Sequence, residues 1–193
     1  MASWLIDPAA GSARAARVRA LVLDVDGVLT DGHVYLGDHG VPAQAFHVHD
    51  GLGLRLWHLA GHHTAVISGR MTNAVAQRCA HLGITHLYQG VAHKRSAWEA
   101  FLQAVHVPPE EVCVCGDDLL DLPLMQAAGL AVAVADAVPD VRAAAHLITE
   151  RPGGHGAVRE LVEFLLRAQG KWSRVTDDLI YGIIATEVNG SLQ

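Results

Sequence analysis

The sequence is short of positive charge, of cysteine, of aromatic side chains and of long apolar runs, and each shortage removes a class of protein. Lys and Arg number 14 against 20 Asp and Glu in 193 residues, a formal net charge of -6. With no cluster of bases there is no footprint for a phosphate backbone, and nucleic acid is not an expected partner. The 3 cysteines, Cys79, Cys113 and Cys115, are odd in number in a chain large enough to need no disulfide staples. They are expected as reduced thiols in a cytoplasm. No stretch approaches the roughly 18 uninterrupted apolar residues of a membrane-spanning helix, so no membrane partner is expected. The 4 tryptophans are scattered, which suits packing in a core or an interface. Histidine is plentiful at 13 residues. Even so, no HExxH or Cys-His finger spacing occurs, and Cys113 and Cys115 alternate with valines as residues of a buried strand do.

What remains is 51% hydrophobic and 18% charged side chains, the balance of one globular domain with a proper core. The apolar run near the start, "WLI", is too short for a signal segment, and residues 1–18 are expected to form a flexible N-terminal arm. Residues 19–171 alternate short apolar runs with helical patterns. The runs are "ALVLDV", "HTAVIS", "THLYQG", "EVCVCG", "LAVAVA" and "AHLIT", and the segments between them carry apolar residues at helical spacing. That alternation predicts an α/β chain, a Rossmann-like three-layer sandwich with a mostly parallel sheet. "GHVYLGDHGVPAQAFHVHDG" breaks it with two period-two runs around a Gly-containing turn, which predicts a projecting β-hairpin. Its apolar residues Val34, Leu36 and Phe46 have no helix of their own to cover them. A closing helix is marked by the stripe Val158, Leu161, Val162, Leu165 and Leu166. The tail 172–193 shows no clear period and is left as a disordered segment or one that docks on a neighbouring subunit.

The chemistry gathers where strands end. In "LVLDVDGVLTDG" the strand pattern runs into Asp24 and Asp26, two residues apart and hence on one face. The carboxyl edge of an open α/β sheet is where ligands bind. Two close carboxylates repel, unless a cation compensates or one keeps its proton. Later strand ends add complementary groups. "ISGR" offers the Ser68 hydroxyl, Gly69 and Arg70, and "AHKRS" places Lys94 at a helix start that attracts anions. "CGDDLLD" supplies Asp117, Asp118 and Asp121, hard oxygen ligands suited to Mg²⁺. A receiver domain would need its acceptor Asp on a middle strand, and a binding module would be expected to lack Asp26 or Lys94; this chain fits neither pattern.

These four segments resemble the motifs of the haloacid dehalogenase superfamily of phosphohydrolases, over about residues 19 to 170. "FHVHDGLGLR", "LGITHLYQGVAHK", "GDDLLDLPLM" and "GGHGAVRE" are more narrowly similar to its sugar-acid phosphatases. The resemblance implies a Mg²⁺-dependent phosphomonoesterase without a cap domain. Its substrate would be an eight-carbon 3-deoxy-octulosonate 8-phosphate, ahead of a nine-carbon ulosonate 9-phosphate or a broad range of sugar phosphates. It implies Asp24 as nucleophile, Asp26 as general acid and base, and Ser68 and Lys94 as anchors of the phosphoryl oxygens. Mg²⁺ would be held by Asp24, the Asp26 carbonyl and Asp117, with Asp121 holding a water of its shell. Gly69, Arg70, Arg78 and His49 are the candidate substrate-binding residues, His49 standing where the family usually has Arg. The resemblance further implies a cytoplasmic homotetramer that serves lipopolysaccharide precursor synthesis, the hairpin helping to close a neighbour's site.

Overall fold

The computed structural model describes residues 3–36 and 42–182. Six strands make the parallel part of one sheet: β2 (Ala20–Leu23), β5 (His63–Ile67), β6 (His86–Tyr88), β7 (Val112–Gly116), β8 (Leu130–Ala133) and β9 (Leu147–Ile148). With β1 (Ser3–Trp4) antiparallel at the edge, the order is β1-β9-β8-β7-β2-β5-β6. All four residues of β2, all five of β7 and all four of β8 are buried, as strands covered on both faces must be.

Helices α1 (Pro8–Arg17), α2 (Val48–Leu59), α7 (Ala157–Ala168) and α8 (Trp172–Tyr181) pack together on one side of the sheet. On the other, α4 (Lys94–Val105), α5 (Leu122–Ala127) and α6 (Pro139–Ala144) follow one another, while α3 (Asn73–His81) reaches α2 through Arg78 and Leu82. The expected stripe on α7 is buried throughout, Val158, Leu161, Val162, Leu165 and Leu166 each at 1% exposure or less. Truncating a leucine at such a position costs about 2–5 kcal/mol. Asp50 fastens α2 to α7: its carboxylate, 2% exposed, accepts hydrogen bonds from Arg159 N at 2.7 Å and Gly156 N at 3.3 Å. Burial raises the Asp50 pKa against those two donors. The carboxylate thus caps the α7 N-terminus from another helix, where Gly156 has no side chain to do so.

The two ends of the chain depart from expectation. Residues 3–17 are a strand and a helix rather than a flexible arm. Asp7 caps α1 through Ala10 N at 2.9 Å, Pro8 stands at its first position, and Trp4 packs edge-on against Phe164 at 5.4 Å. The Asp-Pro pair announces a helix start, and an Ala- and Arg-rich stretch favours the helix that follows. Nor is the tail formless over its first ten residues. In α8, Val175 is buried and Trp172 lies between Arg159 and Arg167, 5.2 and 5.0 Å from their guanidinium carbons. The "GIIA" part of the apolar patch falls mostly outside the described residues.

The hairpin forms from β3 (Tyr35–Leu36) and β4 (Pro42–Ala43), paired Tyr35 with Ala43 and Leu36 with Pro42. Its "GDHG" turn and the Leu36 side chain lie outside the described residues. Val34 is half exposed, as expected, but Phe46 is not part of an open face. It sits beyond β4, partly buried against the core with the Arg78 guanidinium over its ring at 5.9 Å. The period-two reading ran too far because the strand ends at Ala43.

Candidate active site

Chain order places β2 at the centre of the sheet. The chain moves outward through β5 and β6, then returns to place β7, β8 and β9 on the other side. That reversal opens a crevice at the carboxyl ends of β2, β5 and β7, the switch point where α/β sheets bind ligands. Asp24 leaves β2 there, Ser68 leaves β5 and Asp117 leaves β7.

Strand β2 ends at Leu23, so strand alternation is not what aims Asp26. Asp24 N still donates to Cys115 O at 3.2 Å, and the chain then winds around the Val25 carbonyl, which accepts from Val28, Leu29 and Thr30 N. The Thr30 hydroxyl donates to that same carbonyl and accepts from Gly27 and Gly32 N. Gly27 is required in this turn. Its φ is +89°, and a Cβ would stand 2.1 Å from Asp117 Oδ2. A second glycine supports the turn from outside, since a Cβ on Gly153 would meet Gly27 O at 1.6 Å. Asp31, the third carboxylate of the opening motif, turns away. It accepts from Tyr35 Oη at 2.5 Å and His33 N at 3.0 Å at the hairpin entrance, and the Tyr35 hydrogen bond lowers its pKa.

Lys94, at the first turn of α4 and 7% exposed, reaches Asp24 Oδ1 at 2.5 Å and Asp121 Oδ1 at 2.7 Å. Burial pulls its pKa down, but the two carboxylates outweigh burial and leave it raised. The other oxygen of Asp121 accepts from Asp117 N at 3.0 Å and Asp118 N at 3.4 Å. Asp121 therefore shapes the loop that presents Asp117. Asp118 is exposed and caps the short 3-10 turn Leu119–Asp121 through Leu119 N at 2.7 Å.

Oxygens of Asp24, Asp117 and Asp121 lie within 4.8 Å of one another. Burial and then the Asp121 charge push Asp24 up to about 6, against Lys94. Asp117 rises further, to about 8, through burial and the charges of Asp24, Asp121 and Asp118. Its Oδ1 is buried and accepts no hydrogen bond. A buried carboxylate oxygen without a donor, beside two more acids and one lysine, has a deficit of positive charge. These hard oxygen donors fit a divalent cation such as Mg²⁺.

Ser68 is 2% exposed, and its Oγ accepts from Arg70 N at 3.2 Å. Gly69 beside it is exposed. Arg70 Nη1 donates to Asp26 Oδ1 at 3.0 Å. Gln44 Nε2 donates to the same oxygen at 3.1 Å. Sequence reasoning missed Gln44, a single polar residue in an alternating hairpin pattern.

Arg78 and His49 are placed elsewhere. Arg78 donates to the His47 carbonyl at 3.4 Å and lines a cavity of about 260 Å³ with Val48 and Arg55. His49 meets His47 edge-on at 4.9 Å and lines a cavity of about 730 Å³ with Trp4, Arg151 and Arg159. Neither of these two cavities is lined by a residue of the acidic cluster.

Known proteins resemble this chain in sequence and fold. A family model described as haloacid dehalogenase-like hydrolase matches residues 80–161. The chain is 48% identical over 159 residues to the 3-deoxy-D-manno-octulosonate 8-phosphate phosphatase of Escherichia coli K12, covering 82% of this chain and 85% of that one. The crystal structure of the Yersinia pestis enzyme of that name superposes with a TM-score of 0.84 at 41% identity, covering 90% of this chain and 96% of the other. The Moraxella catarrhalis phosphatase, crystallised with magnesium, phosphate and KDO, gives 0.84 at 33% identity over 87% and 97%.

Proposed function

This chain belongs to the haloacid dehalogenase-like hydrolases, and from that premise we infer that it is a Mg²⁺-dependent phosphatase of 3-deoxy-D-manno-octulosonate 8-phosphate. The observation that carries the reading is the meeting of Asp24, Asp117 and Asp121 within 4.8 Å, with Lys94 bonded to two of them. A dianionic phosphoryl group needs that compensated charge and a buried nucleophile in one place.

Asp24 attacks phosphorus through a carboxylate oxygen, and the bond to the ester oxygen breaks with its electron pair on the departing alkoxide. Asp26 gives that oxygen its proton, so the sugar acid leaves as an alcohol and Asp24 carries the phosphoryl group. Asp26 then takes a proton from water, the water oxygen bonds to phosphorus, and the Asp24–phosphorus link breaks to return the carboxylate and free phosphate. Ser68 and the buried Lys94 hold phosphoryl oxygens while both steps proceed. Asp24, the Asp26 carbonyl and Asp117 would hold Mg²⁺, which would supply charge neutralisation at the phosphoryl group. Asp121 holds Lys94 and the Asp117 loop in place.

Substrate choice is tested by comparing kcat/KM for the eight-carbon 8-phosphate, a nine-carbon ulosonate 9-phosphate, hexose phosphates and nucleotides. The eight-carbon ester is expected to lead hexose phosphates by about tenfold or more, since a site built for a carboxylate is left unpaired without one. Equal values across the panel would sink the substrate assignment and leave the phosphatase chemistry standing.

The same reading extends to a cytoplasmic homotetramer in lipopolysaccharide precursor synthesis. It is supported by the outward apolar groups Val34 and Tyr35 on the hairpin, 50% and 46% exposed, and by three buried free thiols. No helix of the described residues is long and apolar enough to cross a membrane. Light scattering is expected to give four times the chain mass of 20.5 kDa, and a monomer would remove the assembly. Recovery of the protein outside the cytoplasm on cell fractionation would remove the location.

A further inference from the structure

Both hydrogen bonds to the Asp26 carboxyl from Gln44 and Arg70 end on Oδ1. An amide N–H and a guanidinium N–H are donors only, so an oxygen facing two of them has no acceptor to share a proton with. Oδ2 is the oxygen left for proton transfer. Which way the carboxyl turns therefore depends on what holds those donors.

Arg70 is a long side chain, 38% exposed, on a loop. Gln44 is more tightly specified. Its Oε1 accepts from the Thr72 hydroxyl at 2.6 Å, which fixes the amide with Nε2 toward Asp26. Thr72 is itself fixed: its Oγ1 caps α3 through Val75 N at 3.2 Å, and its backbone N donates to Gln89 Oε1 at 2.9 Å. A polar chain thus runs from the loop after β6, through the start of α3, to the residue that follows β4, and ends on one oxygen of Asp26.

We propose that Gln44 is a positioning residue for the general acid, turning the Asp26 carboxyl so that Oδ2 faces the departing ester oxygen. The inference rests on the phosphatase reading above. It gives the hairpin a role inside its own subunit, because Gln44 directly follows Ala43 of β4. When the phosphorus–oxygen bond breaks, the Oδ2 proton passes to the alkoxide; when water attacks, Oδ2 receives the proton back.

Leaving-group dependence tests this without appeal to overall activity. A sugar-acid phosphate releases an alkoxide that needs a proton, whereas p-nitrophenyl phosphate releases a stable phenolate that does not. Gln44→Met removes the donor and keeps the length of the side chain. Gln44→Glu keeps the shape and the acceptor for Thr72 but offers Asp26 no donor. Since general acid catalysis contributes about 10²–10⁴-fold, both variants are expected to lose tenfold or more in kcat/KM on the sugar-acid phosphate. On p-nitrophenyl phosphate their kcat/KM should stay within about twofold of the parent, because that ratio ends at departure of the leaving group and leaves out the water attack common to both substrates. Equal losses on the two substrates would make Gln44 a merely structural residue, and no loss on either would make it idle; each result overturns the proposal. A parent protein inactive on both phosphates would instead overturn the phosphatase reading, and this inference with it.

Discussion

Asp24→Asn is expected to reduce kcat by at least about 10³-fold while the protein remains folded. The Asp24 side chain is 11% exposed and its Oδ1 bonds Lys94 at 2.5 Å. An amide of the same shape keeps the volume but cannot displace the alkoxide. Lys94 retains Asp121 at 2.7 Å, so no buried ammonium is abandoned. The substitution also removes one of three mutually repelling acids, which offsets the lost ion pair. Stability should therefore change by no more than about 1–2 kcal/mol, against the 3–5 kcal/mol typical when a buried pair is broken outright. Steady-state kinetics and a denaturant titration on the same preparation separate the two effects. Residual turnover within tenfold of the parent would remove Asp24 as nucleophile, and loss of folding would show that Asp121 alone does not balance the charge of Lys94.

Why this site could be read from the chain and others could not follows from how each residue is positioned. Asp24, Ser68 and Asp117 each stand one residue beyond a buried parallel strand, and such strands announce themselves as apolar runs. Lys94 opens a helix with a strong apolar stripe. A sheet topology alone then brings these residues to one edge. Strand alternation does not aim Asp26: the strand stops at Leu23, and a turn around the Val25 carbonyl sets its direction. Arg70, a candidate for substrate binding, also donates to Asp26, a partner 44 residues away that no local pattern links to it. Gln44 and Asp50 depend on partners 18 and 109 residues away, Asp26 and Arg159, and no local pattern encodes such pairs. Trp4 belongs to the same class, since its partner Phe164 is a helix away at the far end of the chain.

The acidic cluster gives a second large effect, on stability rather than turnover. Without metal, Asp24 titrates near 6 and Asp117 near 8 in the folded protein, both above the ordinary value of 3.8. A carboxyl whose folded pKa is raised binds protons more tightly folded than unfolded. Its contribution is fully present below about pH 4 and is lost as pH rises through the folded value. In EDTA, then, these two groups should cost stability progressively from about pH 4 to pH 8, the Asp24 share by about pH 6 and the Asp117 share by about pH 8. Mg²⁺ binds the ionised forms and competes with those protons, so its stabilisation should be small near pH 5 and grow toward pH 8. At saturating Mg²⁺, about 100 times its dissociation constant, linkage gives about 2.7 kcal/mol. In a chain of this length that is a rise of roughly 5–10 °C in Tm. Asp117→Asn removes the acid with the larger shift together with a metal ligand. It is expected to unfold at a higher temperature than the parent in EDTA at pH 8, and to gain little when Mg²⁺ is added. Scanning calorimetry across that pH range, with and without the metal, measures both. A Mg²⁺-induced rise of the same size at pH 5 and pH 8, or one that survives in Asp117→Asn, would mean that the cation binds somewhere other than between these carboxylates.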